Sequence, residues 1–213
     1  MKFNTFIFDF DGTIADTNDI ILQSWQHAYR TLRGKEEDPD LIQSRYGEPL
    51  KESMEQAFPE VDPHEAMELY RGYQADIFEE WVKEFPGVTE VLKELKTRGK
   101  QLVILTSRQN DFTMRGLNKM GITELFDAII TCDETDAHKP DPEPMYRALA
   151  KSGASEEESL MIGDSRFDIM CAHRAGVKGA LVAWSVAQPV APEEGEAKPD
   201  YIIKTMEDIL EFC

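Results

Sequence analysis

The strongest constraint on this chain is a repeated pattern: a short, continuous apolar run that breaks abruptly into loop-forming polar residues. Thr5-Phe6-Ile7-Phe8 ends in Asp9-Phe10-Asp11-Gly12-Thr13, and Gln101 to Leu105 ends in Thr106-Ser107-Arg108. Ala128-Ile129-Ile130 ends in Thr131-Cys132-Asp133, and Leu160-Met161-Ile162 ends in Gly163-Asp164. Runs that are apolar throughout, rather than alternating, mark strands covered on both faces. Gly179 to Ala183 and Tyr201 to Ile203 add two more candidates.

Between these runs the apolar spacing turns helical. Val88 to Leu95 closes at Gly99, Phe112 to Met120 at Gly121, Pro144 to Lys151 near Gly153 and Arg166 to Ala175 at Gly176. Strands that alternate with helices of about ten residues predict βαβ units and an α/β fold, a doubly wound parallel sheet. In such a fold ligands bind beyond the carboxyl ends of the strands, where each apolar run meets its polar tail.

One region breaks the alternation. Residues 16–85 show no strand, only amphipathic helix: Asp19 to Leu32, Leu41 to Tyr46, Leu50 to Phe58, and a long stretch from Pro63 to Lys83. Pro86-Gly87 then punctuates the return to the alternating pattern. The expected organisation is a Rossmann-like core made of residues 1–15 and 86–213, with an all-α cap of residues 16–85 inserted beside the first polar tail. A lid suits that position. Trp25, Tyr73, Phe78 and Trp81 fall at helical spacings and are expected to form the cap's own core. The Glu- and Pro-rich segment Ala191 to Asp200 reads as a solvated loop.

Charge narrows the partners. With 23 Lys+Arg against 41 Asp+Glu, the 213-residue chain carries a formal net charge of −18. A body so acidic repels nucleic-acid backbones and anionic lipid at long range, so neither is an expected partner. An anionic substrate must be drawn in by local positive charge. Three widely spaced cysteines (Cys132, Cys171, Cys213) give neither a disulfide framework nor a zinc pattern, which points to a reducing cytoplasm. The N-terminal apolar stretch from Phe3 to Phe10 is short and already contains Asp9, so it reads as a buried strand rather than a signal peptide.

The polar tails carry the chemistry. Asp9 and Asp11 stand two apart where a buried strand ends, and like charges that close need a cation or a donor to stay ionised. Asp164 follows another strand, with Asp168 one helical turn further on. Four carboxylates at one sheet edge make a hard, oxygen-rich site suited to Mg²⁺. The plainer reading of Asp164 is a helix cap before Arg166. Thr106 and Ser107 offer a hydroxyl and backbone N–H groups for phosphoryl oxygens. Lys139 sits in His138-Lys139-Pro140-Asp141-Pro142-Glu143-Pro144, where three prolines restrict the loop, and supplies the positive charge an aspartate cluster facing a phosphate requires.

Taken together and in this order, Asp9-Phe10-Asp11-Gly12-Thr13, Thr106, Lys139 and Gly163-Asp164-Ser165-Arg166-Phe167-Asp168 resemble the four motifs of the haloacid dehalogenase-like hydrolase superfamily. The resemblance spans nearly the whole chain, including a helical cap between the first two motifs. It implies that Asp9 is the nucleophile, forming an aspartyl-phosphate, and that Asp11 is the acid and base. By the same resemblance Mg²⁺ is held by Asp9, the Asp11 backbone carbonyl and Asp164, with Asp168 in support directly or through water. Gly12, Thr106 and the Ser107 amide bind the transferring group, and Lys139 neutralises Asp9 and the phosphoryl oxygens.

Departures from the pattern narrow the reaction. Dehalogenases lack the second acid that Asp11 supplies. Mutases of the β-phosphoglucomutase type carry a His near the place of Ile21 and a cap Arg near that of Leu50, and neither is present. The chain looks most like phosphoglycolate phosphatases and the bacterial pyrophosphatases similar to them, through Gly47-Glu48-Pro49-Leu50 and the Lys139 loop. Glu48 and Arg108 are then candidates for substrate discrimination, with exposed surface charge as the alternative. The expected activity is a Mg²⁺-dependent phosphatase acting on a small phosphorylated metabolite or pyrophosphate, as a monomer or weak homodimer. The rival reading is a phosphoacceptor signalling module without turnover, which would be shorter and capless; a catalytically idle partner-binding relative is disfavoured by four intact motifs.

Overall fold

The computed structural model describes residues 2–213. Six strands form one parallel sheet: β1 (Thr5–Phe8), β4 (Gln101–Leu105), β5 (Ala128–Ile130), β6 (Ser159–Gly163), β7 (Lys178–Val182) and β8 (Tyr201–Ile203), in the spatial order β5-β4-β1-β6-β7-β8. After β5 the chain crosses back over β4 and β1 to place β6, so the order reverses around β1. That reversal opens a crevice at the carboxyl end of β1.

Pleating explains why the strands are apolar throughout. Phe6 and Phe8 face one side, where they join Leu102, Ile104, Leu160 and Ile162 under helices α5 (Val88–Thr97) and α6 (Asn110–Met120). Ile7, Val103, Leu105 and Met161 face the other, against α7 (Glu143–Ser152) and α8 (Arg166–Arg174). Each large side chain so buried contributes about 1.5–3 kcal/mol, and a polar residue at any of these positions would be left without water on either face.

The insertion between the first and second long strands holds α1 (Asn18–Arg33), α2 (Pro39–Gln43), α3 (Leu50–Ala57) and α4 (Pro63–Trp81). Its entry and exit are not helical, contrary to expectation. Strand β2 (Ala15–Asp16) pairs antiparallel with β3 (Lys83–Glu84), closing a two-stranded ribbon at the neck, with Lys83 Nζ 3.2 Å from Asp16 Oδ2. Two-residue strands show no periodicity, so the pattern gave no sign of them. Helix α2 begins at Pro39 rather than Leu41, because the Asp38 side chain accepts from the Asp40 N–H and Pro39 fills the first turn.

The insertion has its own apolar cluster, in which Trp25, Tyr29, Ile42, Met54, Phe58 and Tyr70 meet. Trp25 belongs to it as expected; the other three aromatics do not. Phe78 packs edge-on against Phe112 of α6 at 5.4 Å and joins the core beneath the sheet. Tyr73 stacks on His27, and Trp81 is exposed. The helical face of α4 therefore divides, its first half closing the cap and its last turn fastening the cap to the core. No helix among the described residues is long and apolar enough to cross a membrane. Cys132, Cys171 and Cys213 are free thiols.

Candidate active site

Register decides which side chains meet. Phe8 lies opposite Ile104 of β4 and Ile162 of β6, so the next residues in the three central strands, Asp9, Leu105 and Gly163, emerge level with one another. The Asp9 N–H still donates to the Ile162 carbonyl at 2.9 Å, which fixes the residue as the last rung of the sheet. Thr106 is held likewise, its N–H donating to the Ile130 carbonyl at 3.0 Å.

Lys139 reaches this edge from the loop after β5. Its ammonium donates to Asp9 Oδ1 at 2.8 Å, to Asp168 Oδ1 at 2.6 Å and to the Leu105 carbonyl at 3.1 Å, so all three protons are used. Lys139, Asp9, Asp164 and Asp168 are all buried. Burial works against the charged lysine, yet Asp168 and Asp9 outweigh it and hold the ammonium well above its ordinary range. Asp9 moves the other way from a usual carboxylate: burial, with Asp168 and Asp11 adding to it against the pull of Lys139, pushes it up to about 7. Asp164 is raised well above 3.8, again chiefly by burial and then by the charges of Asp168 and Asp9.

Ser165, not Asp164, stands at the N-cap of α8, and the cap is completed from the first turn by Asp168. Its Oδ2 accepts from the Ser165 N–H at 3.0 Å and from Ser165 Oγ at 2.7 Å, closing a capping box. Both Asp168 oxygens are thereby engaged, whereas the Asp164 carboxylate makes no hydrogen bond among the described residues. Its backbone is anchored, since Ser185 Oγ donates to the Asp164 carbonyl. Gly12 shows how tightly Asp164 is seated. At φ +71° it adopts a backbone that disfavours side chains, and a Cβ there would stand 2.1 Å from Asp164 Oδ2.

Carboxylate oxygens of Asp9, Asp164 and Asp168 lie within 4.8 Å of one another. Burial leaves Asp9 and Asp164 short of positive charge, and Asp164 has no other partner. An all-oxygen set of this kind fits a hard divalent cation such as Mg²⁺.

Asp11 stands at the cap side of the crevice. The Arg108 guanidinium grips it through Nη2 at 2.7 Å and Nε at 2.8 and 3.0 Å, and Thr17 Oγ1 donates at 2.6 Å. Arg108 also donates to Gln74 Oε1 at 3.0 Å and lies over the rings of Phe78 and Phe112, so a buried arginine links core to cap. Arg108, a candidate for substrate discrimination by sequence, is engaged with Asp11 in this structure. Gln74 went unnoticed. Its signal is a polar residue on the inward stripe of α4, one turn beyond Tyr70 and one before Phe78.

Glu48 lines the crevice but is not free: Ser53 Oγ donates to it at 2.8 Å, and Arg166 lies 3.7 Å away. The turn carrying it touches the core. Gly47, at φ +81°, leaves no room for a Cβ, which would fall 2.9 Å from the Ser165 Cβ. Asp9, Asp11, Gly12, Thr106, Ser107 and Lys139 share with the cap residues Tyr70, Arg71 and Gln74 a cavity of about 350 Å³.

The family model for haloacid dehalogenase-like hydrolases matches residues 6–182. The chain is 37% identical to the pyrophosphatase PpaX of Bacillus velezensis over 96% of its length and 93% of that protein's. It is 34% identical to the pyrophosphatase PpaX of Halalkalibacterium halodurans, covering 100% of this chain and 97% of the relative. In fold it superposes on the crystal structure of a predicted phosphoglycolate phosphatase from Haemophilus somnus with a TM-score of 0.83, at 24% identity and with 99% and 98% of the two chains covered. A cation-ready cluster of aspartates at the reversal point of a parallel sheet, under a helical insertion, thus comes with sequence likeness along its whole length: the chain is an enzyme of the haloacid dehalogenase-like hydrolase family.

Proposed function

We propose that this hydrolase is a Mg²⁺-dependent phosphatase that cleaves a small phosphate ester or pyrophosphate through an aspartyl-phosphate on Asp9. The observation that carries the reading is the Lys139 ammonium pinned 2.8 Å from Asp9 and 2.6 Å from Asp168, with Asp164 left open beside them. Full-length likeness to pyrophosphatases favours the phosphoanhydride. Asp9, the Asp11 backbone carbonyl and Asp164 would hold the ion, with Asp168 behind them. When bound, Mg²⁺ supplies the positive charge that lets a carboxylate approach an anionic phosphoryl group.

Lys139 orients Asp9, tying up Oδ1 and leaving Oδ2 to attack phosphorus in line. As the new O–P bond forms, the bond to the leaving oxygen breaks, and Asp11 supplies that oxygen's proton. Asp11 then takes a proton from water, which attacks the same phosphorus, breaks the bond to Asp9 and releases phosphate. Thr106, Gly12 and the Ser107 amide are placed to hold the transferring oxygens. An anionic substrate competes with Asp11 for Arg108, and that exchange frees the Asp11 carboxyl for its proton transfers. The cap excludes bulk water while this occurs, and its neck, fastened through Phe78, restricts entry to small molecules.

The test is steady-state hydrolysis of inorganic pyrophosphate, 2-phosphoglycolate and p-nitrophenyl phosphate with Mg²⁺ and with EDTA. Many turnovers are expected with the ion, and Asp9→Asn should lower kcat by about a thousandfold or more with an unchanged circular dichroism spectrum. One stoichiometric burst would favour the phosphoacceptor reading instead. Activity persisting in Asp9→Asn would remove the nucleophile from Asp9.

A further inference from the structure

Five lysine and arginine side chains line the cavity, and four of them are held by neighbours. Lys139 is spent on Asp9 and Asp168, Arg108 on Asp11 and Gln74, Lys51 lies 3.7 Å from Glu55, and Arg45 donates to Gln56 at 3.2 Å. Arg71 is the exception. It is half-buried against the cavity, and among the described residues it makes no side-chain hydrogen bond and no ion pair.

Its placement gives the reason a direction. Met67, Tyr70, Arg71 and Gln74 follow one another along a single face of α4, and all four line the cavity opposite the carboxyl ends of the strands. The same cavity is lined across from them by Thr106, Ser107 and Lys139 at the sheet edge and by Cys132 just beyond β5. The Arg108 guanidinium reaches the same helix from the core, donating to Gln74 Oε1 at 3.0 Å, and both arginines line the cavity.

We propose that Arg71 is a specificity-determining residue that binds a second anionic group of the substrate, the one that is not transferred. The inference rests on the phosphatase reading for the position of the transferred phosphoryl, which Lys139 and Thr106 mark at the sheet edge. A second anion on a short linkage would then lie between the sheet edge and α4. A planar guanidinium with all its donors free suits either a phosphate or a carboxylate, the two forms such a group takes in pyrophosphate and in 2-phosphoglycolate. Arg108, once drawn from Asp11, contributes a second guanidinium lining the same cavity.

Binding separates this inference from the catalytic one. Inorganic pyrophosphate, 2-phosphoglycolate and phenyl phosphate are titrated calorimetrically, with Mg²⁺ present, into Asp9→Asn protein and into the same protein carrying Arg71→Ala or Arg71→Lys. Loss of a charge-assisted contact should weaken the doubly anionic ligands about ten- to a hundredfold and phenyl phosphate less than about twofold, with partial recovery in Arg71→Lys. A loss confined to pyrophosphate assigns the subsite to phosphate, and one confined to 2-phosphoglycolate assigns it to carboxylate. Equal weakening of all three, no weakening, or failure of all three to bind would overturn the assignment. Tight, Arg71-dependent binding by a wild-type protein that turns over none of them would instead sink the phosphatase reading and leave the anion subsite standing.

Discussion

Replacing Lys139 with Met tests whether the buried cation, rather than the shape of the fold, holds the aspartates together. The substitution keeps the bulk of the side chain but leaves Asp9 and Asp168 facing each other without the ammonium that now lies 2.8 and 2.6 Å away. Breaking a buried pair by removing one partner costs about 3–5 kcal/mol, because the remaining charge has neither water nor a counter-ion. The loss should depend on pH, in a direction set by Asp9. A carboxyl raised in the folded state contributes fully to stability below its unfolded value, and that contribution is lost as pH rises through the folded value. For Asp9 the window opens at the ordinary 3.8 and closes at about 7. Holding it ionised above that window costs on the order of 4 kcal/mol even with Lys139 present. Lys139 is itself raised, so its contribution is complete below its ordinary 10.5 and is lost only in strong alkali. Removing it lifts Asp9 further and carries the penalty to higher pH. Urea unfolding in EDTA should therefore show Lys139→Met less stable than wild type by about 3–5 kcal/mol near pH 8, and by about 1 kcal/mol less than that near pH 5, because the two proteins diverge only above the folded value of Asp9. A difference below about 1 kcal/mol near pH 8, or one of equal size at both values, would refute the electrostatic account.

Gly12→Ala should lose about 1–2 kcal/mol from its left-handed backbone alone, and should weaken Mg²⁺ binding by at least about tenfold as Asp164 is displaced; thermal melts and Mg²⁺ titration separate the two effects. Mg²⁺ should raise Tm, and by more near pH 8 than near pH 5, since the raised carboxyls of Asp9 and Asp164 bind the ion only after releasing their protons; a shift that is equal at both values would show that the ion binds elsewhere. Gln74→Ala should cost about 1–3 kcal/mol in unfolding free energy by stranding a buried guanidinium N–H of Arg108, and an unchanged urea midpoint would show that water replaces the contact.

The core was legible because two-sided burial forces a recognisable pattern. Strands such as Thr5–Phe8 and Gln101–Leu105 must be apolar on both faces, and the polar residue that ends each run marks the sheet edge where chemistry gathers. Asp9, Thr106 and Asp164 follow such runs closely, whereas Lys139, well past Ile130, reaches the edge only through the loop after β5. What stayed hidden depends on contacts between distant segments. Whether Asp164 or Ser165 stands at the N-cap of α8 turns on where the backbone of one short loop enters the helix, and spacing alone suits both. The ribbon of Ala15–Asp16 with Lys83–Glu84 joins residues that are far apart in sequence and too few to leave a pattern. Phe78 and Trp81 share the helical spacing of the cap's core residues, yet one serves the core sheet and the other faces water, because α4 outruns the cap.

The same division explains how a chain of charge −18 can hold an anion. Long-range repulsion falls away within about 8–10 Å at physiological ionic strength, so only charges lining the cavity act on a ligand once it has entered. There the balance is local: Lys139 offsets Asp9 and Asp168 in part, Arg108 offsets Asp11, and Asp164 is left for a cation. Four carboxylates against two cations leave the core acidic until a divalent ion joins them. Selection among anions falls to groups outside those pairs, and in this structure they sit on α4, where nothing in the motifs fixes what a residue must be.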